Sequence, residues 1–171
     1  QWLFPFHNEG VVRVQQGTIY LTGGGTHVAA FDTSAGASLV FNGGSNLVNS
    51  GTSFSGPGVV QVNAGSAEFN TTVTFPGAFH VSGGTANFNP SSSVTTLGVT
   101  NYISGGIVNF NSGESIPVNT LTFYSGTIAG NDTVNITGSL LWQNGFFDGG
   151  GVVNLMGATT LQSAFNPYYH Y

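Results

Sequence analysis

Residues 79 to 88 read FHVSGGTANF and residues 101 to 110 read NYISGGIVNF, nearly the same phrase stated twice, 22 residues apart. An enzyme needs its reactive groups once, so a phrase that recurs is a structural unit. Glycine-led phrases with a similar apolar-polar-apolar close run along the chain: GTIYL (17–21), GASLVF (36–41), GSAEF (65–69), GTANF (84–88), GIVNF (106–110) and GVVNL (151–155). TVNI (133–136) fits without the glycine. A period near 20 residues restricts the chain to repeat-built architectures. The closing residues Leu21, Phe41, Phe69, Phe88, Phe110, Ile136 and Leu155 are spaced by 20, 28, 19, 22, 26 and 19 residues. The two long steps predict loop insertions.

A second strand-like phrase precedes several of these, and from Val14, Val62, Val81 and Ile103 to the next closing residue the distance is always seven residues. Within each phrase the alternation has period two, because successive side chains of an extended chain leave opposite faces. Ala67, Phe69, Ala86, Phe88, Val108 and Phe110 are then inward, and Glu68, Asn87, Asn109, Tyr20, Asn135 and Asn154 outward. A Gly-Gly or Ala-Gly pair between the two short strands supplies the backbone angles of a corner. No stretch has the i, i+3, i+4 apolar spacing of a helix. The expected class is all-β.

Glycine supplies 27 of 171 residues, without the every-third-residue spacing of collagen. Disorder is the alternative for so glycine-rich a chain, but 14 Phe and a 40% hydrophobic share are enough to bury a core. One domain, residues 1–171, is expected, with aromatic terminal segments 1–9 and 163–171. The only basic side chain among Lys and Arg is Arg13, against six acids and a net charge of -5. Such a chain has no footprint for a phosphate backbone, so nucleic acid is excluded as a partner. No apolar run reaches the roughly 20 residues that span a bilayer, so no membrane insertion is expected. The chain opens at Gln1 with no leader pattern, which points to a processed form or an excerpt.

The phrases SGGTANFN, SGGIVNFN, SGTIAGNDTVNITGSLLW and GGGVVNL resemble the repeats of parallel β-solenoids in secreted surface proteins, including filamentous haemagglutinins and autotransporter passengers. The resemblance covers roughly residues 10 to 162. It implies a parallel β-solenoid (β-helix) of about seven irregular rungs, about 4.8 Å apart and hence roughly 35 Å long. A β-sandwich is the alternative, since short strands with frequent turns suit it too. In a solenoid, equivalent residues stack in columns. Phe69, Phe88 and Phe110 would form an interior aromatic column, and Asn87, Asn109, Asn135 and Asn154 an amide ladder outside.

Parallel β-helices also include polysaccharide lyases and hydrolases, so catalysis has to be weighed. Glu114, Asp132 and Asp148 are 18 and 16 residues apart, roughly one column, and glycoside hydrolysis needs two carboxylates at a controlled separation. Isolated loop charges are the plainer reading, and the expectation is that the protein is not an enzyme and needs no cofactor. His7, His27, His80 and His170 have no metal-ligand spacing. GGGT (23–26) and GGG (149–151) are corners rather than phosphate cradles, as no Gly-Lys-Ser/Thr follows. Thr72, Thr74, Thr120 and Thr122 do not recur each turn, which ranks an ice-binding solenoid third. Asn70, Asn131 and Asn135 head N-x-S/T sequons and are the candidate glycosylation sites.

The termini carry the rest. Trp2, Phe4 and Phe6 open the chain and Phe165, Tyr168, Tyr169 and Tyr171 close it. A solenoid exposes raw core and unpaired strand edges at its ends, and must cap them or stack them on another chain. The expectation is an extracellular or cell-surface structural protein, a subunit or segment of a filament, appendage or adhesin, with itself as head-to-tail partner and glycans as a further partner class. The alternative is a carbohydrate-binding or carbohydrate-cleaving β-helix with Tyr102, Tyr124 and Trp142 as stacking platforms.

Overall fold

The computed structural model describes residues 1–162. Within them the chain coils into a parallel β-solenoid of about eight turns, with no helix. Residues 1–8 and β1 (Val12–Val14) form an opening turn, followed by β2 (Thr18–Leu21), β3 (Gly25–His27) and β4 (Phe31–Thr33). The next turns are β5 (Ser38–Val48) with β6 (Phe54–Ser55), β7 (Val59–Phe69) with β8 (Thr72–Thr74), and β9 (Ala78–Val81), β10 (Thr85–Phe88), β11 (Ser93–Thr96). Then come β12 (Thr100–Phe110) with β13 (Ser115–Val118), β14 (Thr120–Gly130) with β15 (Thr133–Ile136), and β16 (Ser139–Trp142), β17 (Phe146–Phe147), β18 (Val152–Leu155). The last described strand, β19 (Ala158–Leu161), begins a further turn.

Every pairing between these strands is parallel, which excludes the sandwich. The coil has three faces. The first runs from β2 through the leading halves of β5 and β7, β9, the leading halves of β12 and β14, and β16 to β19. The second stacks β3, the trailing halves of β5 and β7, β10, the trailing halves of β12 and β14, and β17. The third is broken into three patches, β1-β4-β6, β8-β11 and β13-β15-β18.

The corner between the first two faces explains the glycines. Gly65, Gly84 and Gly106 lie on top of one another with φ of 69°, 61° and 70°, a left-handed conformation that side-chain-bearing residues rarely adopt. A Cβ on Gly84 would lie 2.6 Å from the Gly65 carbonyl oxygen, and one on Gly106 2.5 Å from that of Gly84. Turns can therefore close up at this corner only because no side chain stands there.

Three faces also account for the uneven phrase spacing, which does not arise from loop insertions. Phe41 closes a first-face strand and pairs with Val62, 21 residues on; Phe69, seven residues further, closes the second face. The 28-residue step is thus one turn plus one side of the coil. The 26-residue step likewise runs from Phe110 past its partner Gly130 to Ile136 on the third face. The constant seven residues measure the distance from first-face to second-face strand ends in the turns of β7, of β9 and β10, and of β12, whereas Val14 to Leu21 spans a different corner, from third face to first.

Inward residues fill the coil. Leu21, Phe41, Val62, Val81, Ile103 and Phe123 line up along the first face, all buried. On the second face Phe69, Phe88 and Phe110 are in register and buried, their rings stacked at centroid distances of 4.8 and 5.0 Å. Phe79 reaches across from the first face to meet Phe69 and Phe88 edge-on at 6.5 and 5.9 Å. Each buried Phe contributes about 1.5 to 3 kcal/mol relative to an exposed one.

Candidate functional site

Among the described residues Asp132 and Asp148 border one small cavity beside Phe147 and Val152, and Glu114 does not join them there. The carboxylates weighed for catalysis are tied into the framework one by one. Asp132, buried at a corner, accepts the Ser112 N–H and hydroxyl through Oδ2 at 2.7 and 2.6 Å and the Gly113 N–H through Oδ1 at 2.8 Å. Glu114 accepts the Ser93 hydroxyl at 3.1 Å and the Val94 N–H at 3.2 Å, bridging the gap between the β8-β11 and β13-β15-β18 patches. Asp148 accepts the N–H of its neighbour Gly149 at 2.8 Å. Glu68 receives the Asn87 and Asn89 amides at 2.7 and 3.2 Å, and Asp32 faces Arg13 at 3.8 Å on the surface. Among the described residues no three His, Cys, Asp or Glu side chains cluster as a metal site would require.

The outward asparagines do not form one ladder. Asn109 donates to Asn87 at 2.7 Å on the second face, and Asn154 donates to Asn135 at 2.8 Å on the third. The next partner of Asn109 is Ala129, and Asn135 sits beside Pro117, so each pair ends where an amide is missing. The four shared a phrase but not a face. A longer amide column lies at the corner after the second face, unpredicted. Asn89 donates to Asn70 at 3.0 Å and Asn70 to Asn49 at 3.1 Å, and Asn131 donates to Asn111 at 3.2 Å two turns on. The legible signal was an Asn directly after the second-face strand ends of β5, β7, β10, β12 and β14, at 49, 70, 89, 111 and 131.

These ladders bear on the sequons. The Nδ2 atoms of Asn70, Asn131 and Asn135 donate to Asn49, Asn111 and the Ser115 hydroxyl, so a glycan on any of the three competes with a framework bond. Asn131 is exposed, and its side chain makes the single bond to Asn111.

On the outer side of the first face His80, Tyr102 and Tyr124 form an aromatic strip along the axis, with successive centroids 5.6 Å apart. Burial lowers the His80 pKa below the ordinary histidine value. Trp142 is not part of this strip. It is in register with buried Phe123 and stacks on it at 6.4 Å, inside the coil.

The two ends of the described coil are where apolar groups and backbone edges stand open. At the beginning, residues 1–8 lie along β2 and β3 through parallel bridges, Trp2 to Leu21 and Asn8 to His27. Phe6 packs onto the core and meets Trp2 edge-on at 5.6 Å, while Trp2 and Phe4 remain 48% and 77% exposed. At the other end β17, β18 and β19 each have a strand partner on one side only among the described residues. There Leu155 and Leu161 continue the inward columns of Ile136 and Trp142 and are 49% and 68% exposed. Phe165, Tyr168, Tyr169 and Tyr171, as well as His170, lie outside the described residues.

The first turn holds the most unusual interior group. His27, fully buried, occupies the second-face position that Phe69, Phe88 and Phe110 occupy in later turns. Its ring centroid is 5.2, 5.8 and 6.3 Å from those of Phe31, Phe41 and Phe6. Nε2 lies 3.3 Å from Oδ1 of buried Asn46, whose amide nitrogen donates to the Gly43 and Ser66 carbonyls, so Nε2 carries the proton. Nδ1 has no partner. Burial drives the imidazole pKa down, the Asn46 bond acts in the opposite sense, and the nearby His7 charge adds to the lowering.

No family model matches the chain, and neither a curated protein nor a solved structure matches it.

Proposed function

We propose that this chain is a non-catalytic structural rod of the cell exterior, a unit of a filament, surface appendage or adhesin that associates head to tail. The observation that carries the reading is the contrast between wall and ends. Along the wall, the carboxylates and corner asparagines described above are bonded within the wall, and it carries almost no charge to hold neighbouring rods apart. At the ends of the described coil, parallel strand edges and inward-column residues such as Leu155 and Leu161 stand in solvent. A second copy translated along the axis presents strands running in the same direction to those edges. Such a contact does not close on itself and so propagates. The exposed sequon at Asn131 suits an extracellular setting.

The aromatic strip of His80, Tyr102 and Tyr124 favours a second reading, a surface for neutral carbohydrate. Electron microscopy and sedimentation of the full chain, with and without Leu155→Lys and Leu161→Lys, separate the two. Fibres that grow with concentration and disappear in the variants are expected. Monodisperse particles at high concentration, with retention on a neutral polysaccharide column that is lost in Tyr124→Ala, would overturn the rod reading in favour of the second.

A further inference from the structure

We propose that residues 1–8 are an acid-releasable strap, held over the first turn by two uncharged histidines, His7 and His27, and released when these become protonated. Five backbone bonds attach the strap to the next turn. Trp2, Phe6 and Asn8 donate backbone N–H groups to Tyr20, Gly24 and Thr26, and Thr22 and Val28 donate to Trp2 and Asn8. Side chains add to these: Asn8 donates through Nδ2 to the Ala29 and Ala30 carbonyls at 3.0 and 3.1 Å, Gln1 donates to the Thr22 hydroxyl at 3.5 Å, and Thr26 donates its N–H to Nδ1 of His7 at 3.2 Å. That acceptor exists only in the neutral ring, because an imidazolium has protons on both nitrogens. The second histidine lies directly underneath. Phe6 of the strap covers the His27 ring, whose Nδ1 is enclosed without an acceptor. A proton placed there is a buried, unpaired charge among phenyl rings.

No neighbouring group offsets that charge. On the elements packed around His27, the titratable or charged side chains are His7 on the strap, Glu9 following it, Arg13 on β1, Tyr20 on β2 and Asp32 on β4; β5 has none. Glu9 is exposed, Tyr20 lies on the outer face, and Arg13 and Asp32 face each other outside. His7 and His27, both charged, would repel each other. Lifting the strap uncovers His27 to water and leaves the outer edges of β2 and β3 free for another strand. The release follows from the strap geometry alone, and its effect on end-to-end growth rests on the rod reading above.

Hydrogen exchange on the full chain tests it, comparing about pH 7.5 with about pH 5 after correction for the intrinsic exchange rate. Burial holds the strapped His27 below the ordinary histidine value that the released ring takes, so strap opening rises as the pH falls, by at most about thirtyfold over that interval from this group alone. The amides of Phe6, Asn8, Thr26 and Val28 lose protection accordingly, while those of β7 and β10 do not. His27→Phe with Asn46→Ala gives each position a residue that its column carries in later turns, Phe69 and Phe88 in the one and Ala67 and Ala86 in the other, and diminishes the response. His7→Gln alters an exposed side chain and, independently of whether the double variant folds, also diminishes it. Unchanged strap protection in the parent chain at about pH 5, or a full-sized response in either variant, overturns the proposal. Strap release without any change in fibre growth would leave the strap intact as a device and count against the rod reading instead.

Discussion

Replacing Phe88 by Ala tests the stacked core where it is densest. The ring is 1% exposed, lies between Phe69 and Phe110 at 4.8 and 5.0 Å, and meets Phe79 edge-on at 5.9 Å. Truncating a buried Phe costs about 3 to 5 kcal/mol. Three aromatic partners, each contributing about 0.5 to 1.5 kcal/mol beyond area burial, place this site at the top of that range. The turns above and below have strands hydrogen-bonded on both sides, which limits collapse into the cavity. A loss of about 5 kcal/mol is comparable with the whole stability of many domains. It is also localised, since each turn of a solenoid touches only its neighbours. Urea denaturation followed by far-ultraviolet circular dichroism should therefore show an earlier midpoint and a transition split between the turns on either side. Ile107→Ala, on the neighbouring strand but outward and 40% exposed, is the control and should stay within about 0.5 kcal/mol. A loss below about 1.5 kcal/mol for Phe88→Ala, or one no larger than the control, would refute the argument.

Two further outcomes follow from the polar framework. Asp132→Asn keeps one acceptor oxygen but turns an NH2 group toward donors among Ser112 and Gly113, and should cost about 3 kcal/mol in urea denaturation; a loss under about 1 kcal/mol would mean that the corner does not depend on the carboxylate. Burial holds the pKa of His80 below its unfolded value, so folding disfavours the protonated ring. The stability associated with it is complete above about pH 6.5 and declines as the pH falls from there toward the lower folded value, and His80→Gln should flatten that decline in pH-dependent denaturation midpoints, whereas an identical slope would contradict it.

The sequence by itself determined the strands and the kind of stacking. Period-two alternation separates inward Ala86 and Phe88 from outward Asn87 whatever the tertiary arrangement, since it follows from the geometry of an extended chain. The glycines at 65, 84 and 106 announce corners because their backbone angles are costly for any other residue. The shared SGG-x-x-N-F phrase put Phe88 and Phe110 at one repeat position, and they stack at 5.0 Å. What only the tertiary structure decided is which side of the coil a phrase belongs to. TVNI and GIVNF have the same alternation, yet Asn135 lies on the third face and Asn109 on the second, because local pattern specifies in or out and contains no information on angle around the axis. The same limit hid the corner asparagines, whose ladder exists only once turns of 19 to 22 residues bring 49, 70 and 89 together. His27 marks it most sharply: the chain around it reads as a glycine-rich corner, and its burial among Phe6, Phe31 and Phe41 arises from three segments that meet only when the coil has closed.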